Sequence, residues 1–135
     1  MMNRLDDLAL LVGRLLMASL FLPAGINKAM DLGKMAGMLA GKGLPAPEVM
    51  AALAASAEIG GSILLILGLV PRLTAILVGG FTLVATLTSH TFWSMPDAAS
   101  QAAQQTQFFK NMAIIAGTMF YFAAGPGAFA LLRRR

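Results

Sequence analysis

Four stretches of about twenty mostly apolar residues, 8–26, 50–70, 73–92 and 108–132, constrain this chain more than any other feature. A hydrocarbon core about 30 Å thick is crossed by a helix of roughly that length. Gly125-Pro126-Gly127 interrupts the fourth stretch near its end. Composition closes the soluble alternative: 12% of the residues are charged and 58% are apolar, with a mean hydropathy of +0.76. Soluble domains carry about twice that share of charge, and a chain this small keeps a large fraction of its residues at the surface. The expectation is an all-α membrane protein, a single domain over residues 1–135 built as a four-transmembrane-helix bundle.

Several functional classes fall away on residue counts. With no cysteine there are no disulfides, thiol nucleophiles, iron–sulfur clusters or thiolate zinc. One histidine excludes a site needing two imidazoles from one chain. The net charge of +4 invites nucleic acid as a partner, but Lys and Arg cap apolar runs and form no stripe with interleaved aromatics. The partner that the pattern demands is the lipid bilayer.

The chain order of the punctuating residues implies topology. Only Pro71-Arg72 separates the second and third spans, so they form a tight antiparallel hairpin. Asp6, Asp7 and Arg14 spoil the first span as a cleavable signal, so it is expected to be retained. Arg4, Arg72 and the Arg133–Arg135 triplet fall on one side, and Lys28, Lys34 and Lys42 on the other, with Lys110 near that boundary. The positive-inside bias places both termini in the cytoplasm. Between the first two spans, Leu32, Met35, Ala36 and Leu39 recur at i, i+3, i+4 and i+7. That spacing predicts a short helix lying in the membrane interface. The Ala- and Gln-rich segment 97–107 is compatible with a solvent-facing helix continuous with the fourth span.

Ionisable groups inside a bilayer cost about 2.5–3.5 kcal/mol each on insertion scales and therefore need partners or a purpose. Here these are Arg14, Glu58, His90 and Lys110, with Asn27, Lys28 and Asn111 near the boundaries. Counting ~1.5 Å per residue, Glu58 lies about 12 Å and Arg14 about 18 Å below the outer ends of their spans. That gap matches an arginine side chain, so Arg14 and Glu58 are expected to form a buried ion pair, a structural clamp before a catalytic one. Arg14, Phe21 and Lys28 share one stripe; Ala54, Glu58, Gly61 and Leu65 another. Gly79, Thr82, Leu83, Thr86 and His90 share a third, and Lys110, Ile114, Gly117 and Tyr121 a fourth. The four stripes face one interior and create a polar pocket open to the outside, lined by Arg14, Phe21, Lys28, Glu58, His90, Phe109, Lys110 and Asn111. Its excess of cations favours an anionic or carbonyl-bearing head group. His90 adds a group able to exchange a proton near neutrality. The bland alternatives are snorkelling for Lys28 and Lys110, a helix-end hydrogen bond for His90, and interfacial anchoring for Phe92 and Trp93. No residue stands out as catalytic or metal-ligating; Met30, Met35 and Met38 suit irregular packing better than a soft metal.

The same residues resemble the DoxX family. The resemblance is carried by Gly13-Arg14-Leu15-Leu16-Met17 with Phe21, Ala24-Gly25 and Lys28, and by Glu58-Ile59-Gly60-Gly61 leading through Leu64 and Gly68 to Arg72. His90-Thr91-Phe92, Phe109-Lys110-Asn111 and Gly125-Pro126-Gly127 complete an ordered set over nearly the whole chain. The tail departs from it: Ala128-Phe129-Ala130-Leu131-Leu132 stand where the family often continues with Ser and Asp. The resemblance implies a four-helix bacterial inner (plasma) membrane protein linked to membrane redox or stress defence. Arg14, Lys28, Glu58, His90, Lys110 and Asn111 match the family's polar positions. The expected role is a quinone- or lipid-binding accessory subunit without activity of its own and without a covalently bound cofactor. A redox partner subunit would supply the electron-transfer group, and homo-oligomerisation is expected. The alternatives are an assembly factor or scaffold for a partner protein, and a small carrier of an anionic solute or lipid.

Overall fold

A computed structural model of the chain describes residues 2–132, and within them every regular element is helical. The elements are α1 (Arg4–Met30), α2 (Leu32–Gly41), α3 (Pro47–Leu67), α4 (Pro71–Ser89) and α5 (Ala98–Ala124), with a single 3-10 turn at Phe92–Ser94 before α5. Local chemistry sets most of the ends. Asn3 caps α1 by accepting from the amides of Leu5 and Asp6, while the Asp6 carboxylate accepts from the Asn3 amide, a reciprocal box. Pro47 and Pro71 open α3 and α4, where a missing N–H costs no helical bond. Gly68, at φ 69°, ends α3 in the left-handed conformation that favours glycine. Asp97 caps α5, and Gly125 stops it.

Among the described residues three helical segments are long and apolar enough to cross a membrane: Arg4–Met30, Pro47–Leu67 and Pro71–Ser94. The helix in place of the fourth expected span is displaced. It starts at Ala98 rather than near residue 108 and ends at Ala124 rather than near residue 132. Its first turns are the polar segment anticipated as a continuous helix. Beyond Gly125 the chain leaves helical geometry and folds back beneath the bundle. The first span likewise grows at both ends relative to 8–26, and the second begins and ends three residues earlier than 50–70. The Arg133–Arg135 triplet that weighs on orientation lies outside the described residues.

Two helix pairs form the body. α1 packs along α3, and α4 packs along α5, with α3 and α4 joined by the Pro71 turn. Glycines set the closest approaches. A side chain at Gly25 would strike Glu58 and Ile59, one at Gly61 would strike Val78, and one at Gly79 would strike Thr118. Ala18, Phe21, Leu65, Ala75, Val78 and Tyr121 fill the half of the bundle nearer the Pro71 turn, with Met17, Phe81 and Ile114 against them. α2 turns part of its apolar stripe onto the protein rather than outward: Ala36 and Leu39 are buried with Ala51 of α3, while Leu32 stays exposed.

Candidate functional site

The expected Arg14–Glu58 pair does not form. Glu58 is bound by Lys28, whose Nζ lies 2.7 Å from Oε2 and 2.9 Å from Oε1. The correction follows from helix register. Gly25 packs directly on Glu58 and Ile59, so antiparallel pairing puts Arg14 level with the far end of α3. Eleven residues of helix separate Arg14 from Gly25, about 16 Å and beyond the reach of a guanidinium. Treating Ile26 and Met50 as flush ends misplaced the two helices by about two turns. Lys28 sits one turn beyond Gly25 and reaches back along the groove.

Arg14 instead closes the opposite end. Its Nη1 donates to the carbonyls of Leu65 at 3.4 Å and Ile66 at 3.5 Å, and its Nη2 to that of Phe129 at 2.9 Å. The last carbonyls of a helix lack intrahelical partners and carry the negative end of its dipole. A buried cation there is compensated without a carboxylate. Gly68 leaves the necessary room, since a Cβ at that position would overlap Arg14 Nη1. The segment after Gly125 is strapped to the same end: the Ala128 amide donates to Asp7 Oδ1 at 2.7 Å, and the Leu131 amide to the Leu67 carbonyl at 2.8 Å. Arg14 Nε and the Tyr121 hydroxyl are buried there without a protein partner.

The other half of the bundle holds a cavity of about 830 Å³ between the two helix pairs, roofed by α2. Phe21, Lys28, Glu58, His90 and Asn111 all line it. Arg14 does not, for the reason above. Phe109 and Lys110 do not either: they lie on the outer side of α5, beside a shallow separate groove with Gln105, Thr106 and Ala113. A helix turns about 100° per residue, so Asn111 faces inward and its two predecessors face away. Most of the cavity wall is apolar, from Leu20, Met35, Met38, Leu53, Leu77 and Phe81 among others. The wall is open sideways. Leu20, Leu53 and Val84 line it yet are 52%, 64% and 55% exposed on the surface of apolar helices.

The polar groups gather in one region of this wall. Asn111 Nδ2 donates to Thr86 Oγ1 at 2.9 Å, tying α5 to α4. Thr86 and Thr82 in turn donate to carbonyls one turn back in α4. His90 Nδ1 lies 2.7 Å from Gln104 Oε1 on the polar extension of α5. The amide oxygen only accepts, so Nδ1 donates, and in the neutral ring Nε2 is then the acceptor. Lys42, just past the end of α2, lies at the rim with its Nζ 2.9 Å from Ser89 Oγ. Phe92, Trp93, Phe108 and Phe109 form an aromatic cluster at the same end, with successive ring centroids 5.2–6.4 Å apart. Sequence reasoning missed Gln104, Lys42 and Asp7. Gln104 and Lys42 sit in segments whose spacing carries no inward signal, and Asp7 was weighed only against a signal peptide.

A family model described as DoxX matches residues 9–91, which hold α1 to α4 with Lys28, Glu58 and His90. Inner membrane protein YqjF of Escherichia coli (strain K12) is 30% identical over 132 residues, covering 98% of this chain and 95% of its own. Inner membrane protein YphA of the same organism is 30% identical over 125 residues, covering 93% of this chain and 89% of its own. No solved structure matches.

Proposed function

The chain belongs to the DoxX family and is an integral inner-membrane protein of that type; on that premise we propose that it binds a membrane-dissolved amphipathic molecule, a quinone or a lipid, as an accessory subunit of a redox or stress-defence system. One observation carries the proposal: an apolar cavity, open sideways on the exposed faces of apolar helices, with its polar groups gathered in one region. A ligand of that shape keeps its tail among Leu20, Leu53 and Val84 while its head reaches Lys28, Asn111 and His90. Binding sites commonly combine apolar walls with a few convergent polar groups in this way. In this reading residues 108–124 of α5, about 25 Å of helix, make a fourth crossing. α2 lies at the interface, and the Pro71 turn and both termini are cytoplasmic. A partner subunit would carry the electron-transfer group.

The test is to fill the cavity. Ala54 and Ala85 line it without being fully buried, so Ala54→Phe and Ala85→Phe occupy its volume from two helices. Native mass spectrometry of gently extracted protein is expected to find a lipophile on the wild-type chain and none on either variant. Equal retention by all three would overturn the proposal. A scaffold role has one observation of its own, the exposed Gln-rich first turns of α5. A stoichiometric partner that co-purifies regardless of cavity filling would favour it.

A further inference from the structure

Resting on the cavity as a lipophile site, we infer that its occupant carries an uncharged head bearing carbonyl or hydroxyl oxygens, and that carboxylates and phosphates are rejected. The excess of cations that the amino-acid pattern suggested is not present at the cavity. Arg14 is spent at the far end on backbone carbonyls, and Lys110 stands outside on α5. Among the described residues Lys28 is the one Lys or Arg that lines the wall, and its ammonium is bound to both oxygens of Glu58. The two full charges cancel where the head would sit.

What remains is a neutral hydrogen-bonding surface. Two of the three ammonium hydrogens of Lys28 are committed to Glu58, leaving one donor. Asn111 commits one amide hydrogen to Thr86 and keeps its carbonyl oxygen. The imidazole of His90 donates from Nδ1 to Gln104, and in its neutral form Nε2 accepts. Donors and acceptors of this kind satisfy a carbonyl or hydroxyl. An anionic head among Lys28, Asn111 and His90 would lie beside the Glu58 carboxylate and surrender its hydration to apolar walls. The ammonium of Lys42 stays outside the wall at the exposed rim, on Ser89 and the Thr88 carbonyl. Lys28, Glu58 and His90 are the titratable side chains that line the cavity.

The experiment is competitive retention on the full chain, read by native mass spectrometry. Equimolar long-chain quinone and diacylglycerol are set against a fatty acid and phosphatidylglycerol of matched chain length. The wild-type chain is expected to retain the neutral pair at least about tenfold over the anionic pair. Glu58→Gln frees the Lys28 charge and is expected to reverse the preference. The electroneutral double variant Lys28→Met with Glu58→Gln is expected to keep the wild-type preference, which guards against a folding defect in the single variant. Anionic lipids retained as well as neutral ones by the wild-type chain, or a switch in the double variant, would overturn the inference and leave the cavity reading standing. Retention of neither class would remove both.

Discussion

Glu58 is almost fully buried, whereas a quarter of the Lys28 side chain stays accessible. The two halves of the pair therefore answer differently to loss of their partner. Lys28→Met strands a buried carboxylate and is expected to cost about 3–5 kcal/mol. Glu58→Gln is expected to cost less, because the Lys28 ammonium is already partly accessible and keeps an amide oxygen as acceptor in place. The double variant should recover most of the loss, and a double-mutant cycle by thermal unfolding in detergent measures it. Additive single effects would contradict the pairing. The residue types of this site were legible in the amino-acid pattern, since intramembrane charges are few and each must be satisfied. Their pairing was not. It depends on the axial offset of α1 against α3, which the Gly25–Glu58 contact sets and which apolar run lengths do not encode.

Helices were legible as elements, but their ends and attachments less so. α3 and α4 begin and end within a few residues of the second and third apolar runs because Pro47, Gly68 and Pro71 act through backbone geometry alone. The first three turns of α5, anticipated as a helix continuous with the fourth run, are polar and are started by the Asp97 cap and not by an apolar face. Its end at Gly125 falls short of the apolar run to residue 132. The Ser100 amide, and then its hydroxyl, hold the Asp97 carboxyl below the usual carboxylate range. A depressed folded-state value stabilises the helix start above the unfolded aspartate pKa. That support is lost as pH falls through the lowered value. The Ser100 amide should stay protected from exchange at neutral pH and lose protection as pH falls through the lowered Asp97 value, while Asp97→Ala removes it at all pH values. The strap at the other end has its own test. Asp7→Ala leaves the Ala128 amide without its acceptor. Faster hydrogen exchange confined to residues 125–132 is the expected outcome, and unchanged exchange would show that Asp7 does not hold the strap.

For the molecule as a whole, an all-helical membrane chain was evident from hydropathy, and the cavity was not. The four polar stripes suggested a single converging interior. The helices instead associate as two pairs, which close tightly near the Pro71 turn and part toward α2. Topology is open to direct measurement because the chain has no cysteine of its own. Single variants Arg4→Cys, Arg72→Cys and Ala124→Cys should react with an impermeant maleimide from the cytoplasmic side only. Lys34→Cys and Gln101→Cys should react from the opposite side. Ala124→Cys and Gln101→Cys labelled from the same side would contradict a fourth crossing.

The most direct test of the account is photocrosslinking in membranes with a neutral-headed lipophile that carries a diazirine in its tail. Adducts are expected on peptides spanning residues 50–58 and 77–90, and to disappear in Ala85→Phe. Adducts spread instead over outward residues such as Leu16, Ile76 and Phe120 would show that the lipophile only bathes the helices and that the cavity is not its site.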